Sequence, residues 1–164
     1  MGPAMAVPDD GDRRKAQAAR NLAFINYALL FAAVLFAGVP AIAAAVIAYA
    51  QRDEAPPRLA SHFAFQIRVF WIAFAMAMAA AATFLGAMVK IAAAMFEVTR
   101  IEGWNSPDVV RVDLTQVTLD APLVILLGLT ALFAAVGGLW LVLAPALGAM
   151  RLASGRPMGH GPRP

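Results

Sequence analysis

Charged side chains vanish from three long stretches of the chain. Residues 21–51 have none, 69–96 have only Lys90, and 121–150 have none. A membrane-crossing helix needs about 20 consecutive apolar residues, so each stretch predicts one transmembrane span. The first is 31 residues long and would reach about 46 Å as one helix, against a hydrocarbon core of about 30 Å. Pro40, near its middle, removes a backbone hydrogen bond and predicts a kink. The third opens with Pro122 in its first turn and is interrupted by Gly137-Gly138 and Pro145. Ahead of the second span, Leu59, Phe63, Ile67 and Phe70 share one side of a helix, while Arg58, His62 and Gln66 recur every four residues on another. This pattern predicts an amphipathic lead-in at the membrane interface, with Phe70 and Trp71 in the aromatic belt.

The expected fold is therefore an all-α membrane protein of three transmembrane helices, residues 21–150. A flexible basic arm, 1–20, leads through a short polar helix into it, and a flexible Gly/Pro-rich tail, 151–164, follows. Between the second and third spans, residues 97–120 form a polar connection. Its Gly103-Trp104-Asn105-Ser106-Pro107 reads as a turn, and Val110, Val112 and Leu114 alternate with Arg111 and Asp113 as in a strand or β-hairpin. Ala41-Ile42-Ala43 mimics a signal-peptide cleavage site, yet the apolar run before it is roughly twenty residues, longer than the usual 7 to 15. Small residues at four-residue spacing (Ala33, Ala37, Ala41, Ala45; Ala75, Ala79, Thr83; Ala134, Gly138) are candidates for close helix contact. An odd number of spans puts the termini on opposite faces. The thirteen Lys and Arg then divide seven against six, which sets no orientation.

Composition agrees with the pattern. Apolar residues make up 62% of the 164 and charged ones 14%, with a mean hydropathy of +0.72; soluble domains sit nearer half and a quarter. With no cysteine, disulfides, thiol nucleophiles and Cys-based metal sites are excluded. The formal charge of +3 comes from basic residues scattered beside apolar spans, which suits lipid headgroups better than nucleic acid. His62 and His160 are the only histidines, too few for a multi-histidine metal centre. No nucleophile elbow, phosphate loop, dinucleotide fingerprint or His-Glu-x-x-His occurs. No catalytic residue, cofactor or metal is expected, and the chain reads as a non-enzyme.

Two polar constellations stand out. Arg52, Asp53, His62, Gln66, Arg68 and Trp71 gather where the first two spans meet the interface, and are candidates for contact with a partner or a lipid headgroup. Lys90, Glu97 and Arg100 are spaced to share a helix face, as a solvated helix end or as an intramembrane polar cluster.

The run Arg52-Asp53-Glu54-Ala55-Pro56, followed by Ser61 to Ile72 as Ser-His-Phe-Ala-Phe-Gln-Ile-Arg-Val-Phe-Trp-Ile, resembles a family of small uncharacterised bacterial inner-membrane proteins. That family is distantly similar to the chloroplast inner-envelope (Tic) protein-import channel component. Gly155-Arg156-Pro157 matches the Gly-x-Pro that tends to follow the family's last helix. The resemblance covers about residues 49–72; Val69 stands where the family often has Thr, and residues 97–120 replace a usually short link. It implies a multi-pass protein of the bacterial inner (cytoplasmic) membrane. The expected role is an accessory or assembly subunit of a larger membrane complex, with partners limited to the bilayer, that complex or further copies. The alternative is an oligomeric transport or translocation component.

Overall fold

In the computed structural model of the protein, residues 10–102 and 120–158 are described, apart from the side chains of residues 12 and 97–102. Four helices follow one another: α1 (Asp10–Ala32), α2 (Val39–Gln51), α3 (Pro57–Glu102) and α4 (Ala121–Ala153). No strand occurs among the described residues. The expected β-hairpin lies over residues 103–119, outside them, while residues 97–102, also read as loop, continue α3.

The first predicted span is two helices. Proline inside a continuous helix clashes with the carbonyl four residues earlier, here Phe36, but is accepted in a first turn. The chain therefore stops α1, runs through residues 33–38 and restarts α2 with Pro40 in its first turn. The Phe36 carbonyl instead accepts the Val39 N–H at 3.1 Å. Ala37 and Gly38 adopt positive φ, 49° and 83°; glycine takes the second at no steric cost, whereas Ala37 carries strain. The 13-residue α2 rises about 20 Å, less than the hydrocarbon thickness. Gln51 at the end of α2 and Ala18, Ala19 and Leu22 early in α1 line one cavity, so α2 returns alongside α1. The alanine ladder Ala33-Ala37-Ala41-Ala45 thus crosses the break: Ala33 is buried just after α1, Ala41 and Ala45 on α2. Among the described residues two helices, α3 and α4, are long and apolar enough to cross a membrane. That corrects the expectation of three.

The chain divides into two compact units. One holds α1, α2, the start of α3 through Ala73 and α4 from Gly138 onward. Its core joins Ala23, Tyr27 and Leu30 of α1, Ala44 and Ala48 of α2, Phe63 and Val69 of α3, and Ala144 and Leu152 of α4. The Trp140 indole N–H, which needs a partner in apolar surroundings, donates to the Val69 carbonyl at 3.2 Å. α4 ends in a Schellman motif. Gly155 is left-handed (φ 66°), with the Arg156 N–H on the Arg151 carbonyl and the Gly155 N–H on that of Leu152. The helix continues through Ala153, and a strap of residues 154–158 follows it. In the arm, where a short polar helix was expected to follow a disordered start, Asp10–Arg20 is helical.

The other unit, residues 74–137, pairs α3 and α4 antiparallel. A Cβ at Gly137 would stand 3.1 Å from that of Met76, Thr83 and Thr130 hydroxyls meet at 2.8 Å, and Gly86 faces Leu126. Small side chains and one polar pair supply this contact, letting the two backbones approach closely. Of the small residues expected to pack, Thr83 takes part; a Cβ at Gly138 would meet nothing within 4 Å. Asp120 caps α4, accepting the Leu123 N–H at 3.0 Å, and also pairs with Lys90.

The Asp120 carboxyl is held below the usual range, first by the hydrogen bond from Lys90 and then by the Leu123 N–H. A carboxylate whose folded pKa is lowered stabilises above its unfolded pKa, about 3.9, and loses that stability as pH falls through the folded value. Protection of the Leu123 amide from hydrogen exchange is therefore expected to stay level from pH 7 down to about 4 and then fall. In Asp120→Asn, which keeps a capping oxygen, the acid-dependent step should disappear.

Candidate functional site

His62 and Gln66 are one turn apart on α3 and fully or almost fully buried, at 0% and 1% exposure. A lead-in helix lying on the interface would expose them. They are covered because α1 packs over this face and supplies polar partners that an apolar wall could not.

Gln66 fixes its own orientation. Its Nε2 donates to the Ala23 carbonyl of α1 at 3.0 Å, since a carbonyl can only accept. Its Oε1 therefore accepts from Asn26 Nδ2, at 2.7 Å. That assignment leaves Asn26 Oδ1 as the buried oxygen without a hydrogen-bond partner.

His62 is fixed by the same reasoning. Its Nε2 lies 2.9 Å from the Arg156 carbonyl in the strap after α4, so that nitrogen carries the proton. Nδ1 of the neutral ring is then an acceptor, and the Tyr27 hydroxyl, 2.9 Å away, donates to it. The two rings meet edge to face, their centroids 6.1 Å apart at 88°. Tyr27 reaches this place only because α4 carries glycine beside it. A Cβ at Gly148 would stand 2.4 to 2.6 Å from three atoms of the Tyr27 side chain. Next to His62, the Ser61 hydroxyl donates to the Arg58 carbonyl at 2.6 Å and accepts the Met158 N–H at 3.1 Å. Adjacent residues of α3 thus tie down both α1 and the strap.

The six residues of the first predicted constellation separate into two groups and one residue apart. His62 and Gln66 form the buried staple. Arg52, Asp53 and Trp71 belong to an exposed series. Arg52 Nε bonds Asp53 at 3.1 Å and its guanidinium lies 5.9 Å from the Tyr49 ring centre. The Tyr49 hydroxyl accepts the Trp71 indole N–H at 2.9 Å. Arg68 stands apart from both, lining a cavity of about 580 Å³ with Ser61, Arg151 and Met158. In the second constellation Lys90 pairs with Asp120, both side chains partly exposed. The side chains of Glu97 and Arg100 lie outside the described residues.

Sequence reasoning missed Asn26, Tyr27 and Gly148. The signal was present: Asn26 and Tyr27 are the only polar side chains between Leu22 and Ala48, and a polar pair deep in an apolar stretch calls for polar partners. Gly148 carries no such mark. Among the described residues no three His, Asp or Glu side chains gather as a metal site.

Fold and site together define a chain whose described secondary structure is helical, with two helices long and apolar enough to cross a membrane and a buried four-residue polar staple. No protein-family model, curated protein or solved structure matches it.

The Asn26–Gln66 bond makes a measurable prediction. Gln66→Leu strands the Asn26 amide in the core and should cost about 1–3 kcal/mol. Asn26→Leu combined with it should cost about 1 kcal/mol less than the sum of the single changes. Unfolding of the full chain in mixed detergent–SDS micelles measures the cycle; strict additivity would show that the bond contributes nothing.

Proposed function

We propose that the chain is a multi-pass protein of the bacterial inner membrane, acting as an accessory or assembly subunit of a larger membrane complex without catalysis of its own. The observation that carries this reading is the apolar surface that the chain leaves uncovered. In the most apolar 18-residue windows of α3 and α4 only 11% of residues are buried, and Leu85, Val89, Leu132 and Leu139 are each more than half exposed. Water would make such a surface self-associate. Acyl chains and the helices of a partner are the covers that fit it.

The site supports the same reading. Its polar atoms are spent on holding α1 and the strap to α3, which is what a scaffold needs. The two stretches that carry the resemblance to small inner-membrane proteins meet there, where His62 donates to the Arg156 carbonyl.

Orientation follows from the hairpin. Arg13 and Gln17 near the start of α1, Arg58 at the start of α3 and Gly155 after α4 line one cavity, so both ends of the described chain come to the same end of the unit. Arg13, Arg14, Lys15, Arg20, Arg52, Arg58, Arg68, Arg151 and Arg156 belong to the helix ends and links gathered there. Lys90 lies 21 residues beyond Val69 along the chain, with Arg100 and Arg111 further on. By the positive-inside rule the arginine-rich end faces the cytoplasm.

Two measurements test the proposal. In mild detergent the chain is expected to co-migrate with a larger assembly; recovery of only the free chain at every expression level would count against the accessory role. The protein has no native cysteine, so Ser154→Cys should react with a membrane-impermeant maleimide only in inverted vesicles. Labelling from outside intact spheroplasts would reverse the orientation.

A further inference from the structure

The cavity that gathers the start of α1, the start of α3 and the end of α4 has a volume of about 520 Å³. Three arginines line it, Arg13, Arg20 and Arg58, and among the described residues no Asp or Glu does. Among the described residues none of the three forms a salt bridge; the ion pairs there are Arg52–Asp53 and Lys90–Asp120. Arg20 is steadied from below, its guanidinium 5.8 Å from the centre of the Phe24 ring. His62, in the wall, adds no charge, because its Nδ1 accepts the Tyr27 hydroxyl hydrogen while Nε2 donates to the Arg156 carbonyl, the pattern of the neutral ring. Beside Gln17 and His62 the lining includes apolar Ala16, Pro56, Leu59 and Leu152.

Three like charges lining one space repel one another, and among the described residues no carboxylate lines it to offset them. Guanidinium groups fit phosphate oxygens two at a time. A free phosphate would use the arginines and leave the apolar lining wet, whereas a phosphate attached to acyl chains uses both. We propose that this cavity binds the phosphate of an anionic phospholipid, the arginines clasping the headgroup and the apolar lining taking the adjoining glycerol and acyl carbons. The inference rests on the membrane reading above for the choice of a lipid, and the test keeps the two apart.

The full chain, purified in detergent and stripped of lipid, is titrated with phosphatidylglycerol, with phosphatidylcholine and with sodium phosphate, and native mass spectrometry reads the bound lipid. Phosphatidylglycerol is expected to bind at least about tenfold more tightly than phosphatidylcholine, a difference of about 1.4 kcal/mol. Arg20→Gln with Arg58→Gln should abolish that preference. Arg14→Gln, on the same helix but outside the cavity, removes an equal charge and should preserve it. Circular dichroism and monodispersity of the double variant establish that it is folded. Equal binding of the two lipids overturns the proposal, as does an unchanged preference in the folded double variant. Competition by sodium phosphate as strong as that by phosphatidylglycerol also overturns it, in favour of a free phosphate ligand. A chain that is monodisperse in water without detergent would instead overturn the membrane reading.

Discussion

Two side chains of α3 that cannot be left bare in an apolar wall organise the arginine-rich unit. His62 and Gln66 between them present two donors and two acceptors, and burying any one without a partner costs about 1–3 kcal/mol. The partners come from parts of the chain remote in sequence, Ala23, Asn26 and Tyr27 on α1 and the Arg156 carbonyl after α4. Hydrogen bonds are directional where apolar contacts are not. A surface of alanine and leucine would let α1 slide or turn on α3; the amide pair and the Tyr–His pair admit one register.

That register makes demands elsewhere. For Tyr27 to reach His62, α4 must pass without a side chain at residue 148, and Gly148 meets the requirement. For Arg156 to present its carbonyl, α4 must end one turn earlier, and left-handed Gly155 stops it there. Asn26 Oδ1 remains unpaired. The oxygen is the by-product of Gln66 being anchored on a carbonyl, since reversing both amides would set oxygen against the Ala23 oxygen.

Hydropathy located the long helices well, because a run without charge is legible whatever it packs against. It misread the first run, since 31 uncharged residues look alike whether they continue straight or fold back. Pro40 was the local signal, and it pointed to a bend in a span instead of a new helix. What decides is Gly38, whose left-handed conformation lets the chain reverse before the proline. The site was half legible. His62 and Gln66 stood out as polar residues at helical spacing, but periodicity alone places such a row on the solvated face. Only the matching pair on α1, Asn26 with Tyr27, distinguishes a buried row from an exposed one, and that match is a tertiary fact.

The fold-back also changes what the charges mean. With three straight spans the basic residues alternate between faces and nearly cancel as a guide. Once α2 returns along α1, the link that follows Arg52 and the start of α3 with Arg58 come to the same end as Arg13 and Arg20, and the residues after α4 join them. An even distribution along the sequence becomes a concentration in space, produced by one left-handed glycine and one proline. The staple sits at that same end and prevents the cluster from relieving its repulsion by letting α1 swing away. A basic concentration held in place against its own repulsion is a standing demand for anions, which an anionic leaflet can supply without altering the helices that created it.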